Sequence, residues 1–214
     1  MAGRRPTPRR DARRAVSRGA GGHERLVRWY RVLPVALLAI TLVVVVAVAT
    51  NPTSLGRYVH PVHHAETIED ACERHGVDPL LACAVIQCES GWDEDVVSSA
   101  GAVGLMQVMP IAAETMVLQG IVDPERWDPD ALADPEVNIE YGCATLGYLQ
   151  DQLSSLDETI AAYNAGLGAV QGWIDEGGSI PEDIEYAETR AYVERVREAY
   201  EGYRQSYPDG ITKG

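Results

Sequence analysis

Histidine is missing from residues 85–214, phenylalanine is missing altogether, and cations are scarce beyond residue 50. Without a histidine in that stretch, a cysteine there has no ordinary base to activate it, which counts against a catalytic thiol. Residues 51–214 carry eight Lys and Arg against thirty Asp and Glu, a net charge of −22. A field of that sign repels phosphates and excludes nucleic acid as a partner of this part of the chain. A neutral polysaccharide is compatible with it. The four cysteines include no close pair of the kind that opens a zinc site. There is no internal repeat and no alternation of strands with helices, so solenoids and doubly wound sheets are excluded. Ten Tyr and four Trp carry the aromatic load that Phe would otherwise share; nothing in the sequence explains the missing Phe.

What is present divides into segments. Residues 1–31 hold ten Arg against Asp11 and Glu24, with much Gly, Pro and Ala. They read as a disordered basic cytoplasmic arm, suited to anionic lipid headgroups. Residues 32–49, VLPVALLAITLVVVVAVA, are apolar and uncharged. As a helix they reach about 27 Å, enough to span hydrocarbon. Arg25, Arg28 and Arg31 precede them, so the expectation is a single-pass anchor over 32–50, N-terminus in the cytoplasm and the rest outside. The alternative is a signal peptide cut near Ala47-Val48-Ala49, which would release the remainder. Residues 51–65 read as a linker, with Pro52, Pro61, His60, His63 and His64. Those histidines have no second ligand set, so neither a metal nor a cofactor is expected.

Helical periodicity dominates residues 66–207. Ile68, Ala71 and Cys72 form one stripe; Leu80, Leu81, Ala84, Val85 and Cys88 form another, opened by Asp78 as N-cap and Pro79 in the first turn. Val137, Tyr141, Ala144, Leu146, Tyr148 and Leu149 form a third over 135–152, and Tyr192, Val193, Val196, Tyr200 and Tyr203 a fourth. Residues 98–110 are rich in Gly and Ser and read as a loop or small hairpin. The expected fold is mostly α, a compact helical domain with one small loop or hairpin region, and 208–214 form a tail.

Cys72, Cys83, Cys88 and Cys143 all fall in the exported part, where an even count favours two disulfides. Three connectivities are possible. Cys72 and Cys83 flank Gly76-Val77-Asp78 almost symmetrically, which favours Cys72–Cys83 with Cys88–Cys143.

Glu89 ends an apolar helix and is followed by the apolar loop Gly101-Ala102-Val103-Gly104-Leu105-Met106. A carboxylate between such surfaces is desolvated, its pKa rises, and it can donate a proton near neutrality. A solvated glutamate at a helix end is the plainer reading of that position alone. Four ordered blocks add to it: Glu89-Ser90-Gly91-Trp92; Ser98 through Pro110, SSAGAVGLMQVMP; Asn138-Ile139 with Gly142 and Tyr148-Leu149; and Ala161-Ala162-Tyr163-Asn164-Ala165-Gly166 with Gly168 and Trp173. A weaker fifth is Glu188-Thr189-Arg190 with Tyr192-Val193. Together they resemble the soluble lytic transglycosylase family of the lysozyme-like superfamily, over about residues 66–205.

The resemblance implies a lysozyme-like α+β fold and an enzyme acting on peptidoglycan glycan strands. It implies Glu89 as catalytic acid, with Ser98, Gln107, Met109, Tyr163, Asn164 and Glu188 as substrate-binding residues. Ser98 stands at the position of a serine that orients the muramyl acetamido group. Gln107 and Asn164 offer amide donors and acceptors to acetamido and hydroxyl groups, Met109 can pack beside a pyranose, and Tyr163 can stack on a sugar or bond near the acid. For Trp92, Trp127 and Trp173 core packing and sugar stacking are equally open. Ordinary glycosidases use two carboxylates, whereas this family uses one and releases a 1,6-anhydro product. Two other readings stand: a muramidase-type hydrolase using Asp93, Glu94 or Asp95, and a silent wall-binding or envelope-machine accessory domain.

Overall fold

The computed structural model describes residues 21–50 and 52–212. The expected disordered arm therefore lies outside the described residues over 1–20. Two units divide at residue 50. The first contains helix α1, Gly21–Thr50. It begins ahead of residue 32, where the expected anchor starts. Side chains from Val32 to Val46 are exposed. Among the described residues no helix is long and apolar enough to cross a membrane.

The second unit is helical throughout, with α2 Pro52–Val59, α3 Ala65–His75, α4 Pro79–Glu89, α5 Pro110–Leu118, α6 Pro135–Gln152, α7 Leu156–Ala165, α8 Leu167–Asp175 and α9 Ala187–Ser206. Local sequence starts most of them. Asp78 accepts from the Leu80 N–H at 2.9 Å, and Pro79 follows at the first helical position. Asp134 and Pro135 do the same for α6, and Ser155 accepts from the Glu158 N–H to open α7. Each such cap is worth about 0.5–2 kcal/mol. Gly76, at φ 69°, closes α3 in a left-handed turn that a side chain would oppose.

Six consecutive residues of α4, Leu81 to Ile86, are buried. A helix buried all round must lie inside its domain, and α4 packs against both α3 and α9. α6 packs on α3, α5 and α7. Where α6 meets the 101–108 loop, a Cβ on Gly142 would collide with Met106, so only glycine lets the two approach. Where a loop or small hairpin was expected, the chain forms a loop with two isolated bridges, Val97 with Val103 and Val103 with Val108.

Three further expectations differ from the structure. The expected linker holds α2, which packs on α9: Arg57 lies over the Tyr207 ring at 5.2 Å, and the His60 and Pro61 carbonyls accept from Tyr207 and Tyr203 at 2.9 Å each. Tyr203 and Tyr207, one helical turn apart at the end of α9 and its C-cap, give this stretch a docking face that its own composition does not reveal. The tail is also docked, since Ile211 is buried and Thr212 bonds Glu69. Finally, neither expected disulfide is present. All four cysteines are free thiols, and Cys72 faces Cys143, with sulfurs 3.6 Å apart. The turn after α3 does not decide the pairing, because α3 packs its buried stripe on α6 as well as on α4.

Candidate active site

Glu89 is the last residue of α4, beyond the buried run, and is half-buried. The chain reverses directly after it. Ser90 caps the helix, and Gly91 and Trp92 both adopt positive φ, 60° and 70°. Trp92 is held there: its backbone N–H donates to Ser90 Oγ at 3.1 Å and its indole to Tyr203 Oη at 2.9 Å. Trp92 is thus a brace for the turn that ends α4.

One carboxylate oxygen of Glu89 accepts from the Tyr192 hydroxyl at 2.6 Å. Burial raises the Glu89 pKa; the Tyr192 bond and the Arg195 cation oppose that rise without cancelling it. No second carboxylate is among the groups that shift it. Burial, with the adjacent Glu89 charge, holds the Tyr192 and Tyr163 phenols far above their ordinary range, so both are neutral donors at any physiological pH. Arg195 lies 5.8 Å from the centre of the Tyr192 ring, so a cation stands behind the donor that holds the acid.

The 96–108 loop is braced from α6. Buried Asn138 accepts from the Met106 N–H at 2.8 Å and donates to the Val103 and Leu132 carbonyls at 2.7 and 2.9 Å. Tyr163, on α7, donates to the Met106 carbonyl at 2.8 Å. Met106 is therefore fixed at both its amide and its carbonyl. The Tyr163 hydroxyl is thus used on the loop, with Glu89 close enough to raise its pKa, and the ring is what remains for the expected stacking on a sugar. Gln107 sits at φ 47°, a strained backbone for a side-chain-bearing residue. Its amide nitrogen donates to the Val96 and Gly104 carbonyls at 3.0 and 2.9 Å. The donor half expected to meet substrate is thus spent on the loop, and the amide oxygen is what remains for a ligand.

Ser98 is half-buried, and its hydroxyl oxygen accepts from the Ala102 N–H at 3.0 Å, which leaves its proton free to donate. Met109 is half-buried at the N-cap of α5. Asn164 is exposed, and its carbonyl accepts from buried Thr189 at 2.8 Å, tying α7 to α9; this fixes the amide and leaves the NH2 group outward. Glu188 is exposed in the first turn of α9, one helical turn before Tyr192. Asp93, Glu94 and Asp95 are exposed, with Glu94 paired to His64 at 2.6 Å. His60 and His63 instead pack edge-on against Tyr203 and Trp92. Trp173 is buried against Tyr186.

The sequence reading missed two charged arrangements. Tyr192 and Arg195 act on Glu89 from α9, whereas the sequence shows Tyr192 only as a stripe residue and a member of the weaker fifth block. Glu140, buried on α6, bonds Arg74 at 2.6 Å and His75 at 2.9 Å. Burial raises the Glu140 pKa, but these two partners outweigh it and hold the carboxyl below its ordinary value.

Residues 66–184 match the family described as the transglycosylase SLT domain, more than half of the chain. The chain belongs to that family. Among curated SLT-domain relatives is the soluble lytic murein transglycosylase of Escherichia coli K12, 40% identical over 130 residues, which are 57% of this chain and 20% of that one. The membrane-bound lytic murein transglycosylase C of Edwardsiella ictaluri is 31% identical over 188 residues, 75% of this chain and 51% of that one. The chain thus spans a fifth to a half of the length of these relatives. Of solved structures, the 70 kDa soluble lytic transglycosylase of Escherichia coli aligns over 72% of this chain and 26% of its own, with TM-score 0.65 and 32% identity. An inactive glutamate-to-glutamine mutant of the lytic transglycosylase Slt of Pseudomonas aeruginosa aligns over 71% of this chain and 25% of its own, with TM-score 0.61 and 31% identity. The SLT domain of this chain therefore has the lysozyme-like fold of these enzymes.

Proposed function

We propose that the chain is a peptidoglycan lytic transglycosylase that cleaves the β-1,4 bond between N-acetylmuramic acid and N-acetylglucosamine without water. The observation that carries this is the half-buried Glu89 at the end of α4, raised in pKa by burial and held by the Tyr192 hydroxyl at 2.6 Å. An acid poised this way can give a proton and then take one back.

In the first half of the reaction Glu89 protonates the glycosidic oxygen as the bond to muramyl C1 breaks. The muramyl acetamido oxygen stabilises the cationic centre, and in this reading the Ser98 hydroxyl, whose proton is free to donate, orients that group. In the second half the Glu89 carboxylate takes the proton of the muramyl C6 hydroxyl. O6 bonds to C1, closing the 1,6-anhydro ring and returning Glu89 to its acid form. Tyr192 donates to the carboxylate while it is charged and so steadies the intermediate stage. The Gln107 oxygen, the Asn164 amide, Met109 and Glu188 line the glycan path in this reading, and the acidic residues 93–95 face solvent, away from a hydrolytic role.

The location belongs to the same proposal. The sequence alone, an uncharged run over 32–49 preceded by ten Arg, is the ground for a single-pass anchor at the cell membrane with residues 51–214 outside. It stands against the finding that no described helix is long and apolar enough to cross a membrane; one of the relatives above is named membrane-bound. Release after cleavage near Ala49 gives the same catalytic domain in soluble form. The test is mass spectrometry of muropeptides released from purified peptidoglycan by the full chain in detergent. Products lighter by one water than hydrolytic ones are expected; reducing-end hydrolytic products would replace this reading with a muramidase.

A further inference from the structure

We propose that Cys72 and Cys143 are a disulfide-forming pair that staples α3 to α6. The two residues are 71 positions apart in sequence, yet their sulfurs lie 3.6 Å apart. Both are fully buried, one on each of two helices packed together. A disulfide needs a separation of about 2.05 Å, so a closure of roughly 1.5 Å, within the reach of side-chain rotation, completes it. Cys88 is only half-buried at the far end of α4. It is set apart from Cys143, whose thiol neighbours are Cys72 and Cys83.

The oxidant is a disulfide, either a dithiol oxidoreductase in its oxidised form or a small-molecule disulfide. One thiolate of the pair attacks it, forming a mixed disulfide and expelling one thiol of the oxidant. The second thiolate of the pair then attacks its partner's sulfur and expels the other. Two electrons and two protons leave the pair, and the oxidant ends as two thiols. In the closed domain the exchange is blocked: the sulfurs are out of reach of solvent, and their mutual hydrogen bond and burial hold the Cys143 thiol far above its ordinary pKa. The bond therefore forms while the chain folds, before α3 and α6 seal over it.

The staple has a consequence for the acid. α6 carries Asn138, whose three bonds fix the 96–108 loop, and Gly142, which seats Met106. Fastening α6 to α3 fastens the frame of that loop. The compartment in which the bridge forms rests on the exported location proposed above; the pairing does not.

The two are separated by two preparations. In one, the full chain is refolded in detergent with oxidised and reduced glutathione, blocked with iodoacetamide and mapped without reduction. A Cys72–Cys143 peptide is expected, with Cys83 and Cys88 alkylated and a melting midpoint on the order of 10 °C above that of the reduced chain. The Cys72→Ala/Cys143→Ala variant should melt at one temperature with or without reductant. Four alkylated cysteines, or a bridge to Cys83 or Cys88, would overturn the pairing. In the other, the chain is blocked in intact cells before mapping. A bridge formed on refolding but absent from cells supports the pair and counts against export.

Discussion

Replacing Gly142 by alanine sets two effects of known size against each other. Alanine in a helix interior is favoured over glycine by about 1 kcal/mol. Against that, the new methyl meets the Met106 side chain from its Cβ outward. Methionine is usually the easiest core residue to move, but here the backbone beneath it is pinned, its amide to Asn138 and its carbonyl to Tyr163, both at 2.8 Å. Overpacking against a fixed wall costs about 1–3 kcal/mol, so overpacking wins and the net is a loss of up to about 2 kcal/mol. Gly172, inside α8, has nothing within 4 Å of a built Cβ, so only the propensity gain applies there. At about 2–4 °C per kcal/mol, Gly172→Ala should raise the melting midpoint by roughly 2–4 °C, and Gly142→Ala should lower it by up to roughly 8 °C. Thermal denaturation of both variants in one buffer reads the contrast. Glycan release by Gly142→Ala should fall as well, because the displaced loop carries the Tyr163 contact. A Gly142→Ala variant as stable and active as the parent would show that Met106 moves freely and that the loop is not pinned.

Tyr192→Phe removes a bond that favours the ionised form of Glu89. The acid's pKa should rise further, and the alkaline limb of the kcat/KM profile should move to higher pH as kcat falls; an unchanged limb would separate Tyr192 from the acid. Asn138→Ala strips partners from Met106, Val103 and Leu132, at about 1–3 kcal/mol for each buried group left unsatisfied, so denaturant unfolding should show a loss of several kcal/mol. Glu140 carries a depressed pKa in the folded chain. Its stabilising effect is complete above the ordinary carboxylate range and is lost as pH falls through the folded value. Glu140→Gln should therefore destabilise at neutral pH, and the gap to the parent should narrow in acid titration of the melting midpoint.

Residues with strong local signals were legible in the sequence. Asp78-Pro79 and the apolar periods of α3, α4, α6 and α9 report helices through capping and spacing alone. α2, α5, α7 and α8 are short, and half their definition comes from what they pack on; α2 needs the tyrosines of α9, more than 140 residues away, to be seen. The same holds within the site. Glu89 could be read only from its place at the end of an apolar helix taken together with the four ordered blocks that start with it. Gln107 and Asn164 could be read as amides but not as amides whose bonding groups are partly committed to the loop and to Thr189. The Tyr192 and Arg195 partnership, the buried Glu140 with Arg74 and His75, and the approach of Cys72 to Cys143 are all made by helices meeting across long sequence separations. No spacing encodes them.

The central claim, that Glu89 is the acid, is tested most directly by Glu89→Gln in the full chain, assayed on purified peptidoglycan beside the parent. The amide keeps the shape of the carboxyl and can still accept from Tyr192, but has no proton to transfer. General acid–base catalysis supplies about 10²–10⁴-fold, so glycan release should fall by at least about 10²-fold. Because burial already penalises the charged carboxylate, the melting midpoint should hold or rise. A variant that kept more than roughly a tenth of the parent rate, far short of the loss that removing a general acid brings, would contradict the account and direct attention to Asp93, Glu94 and Asp95.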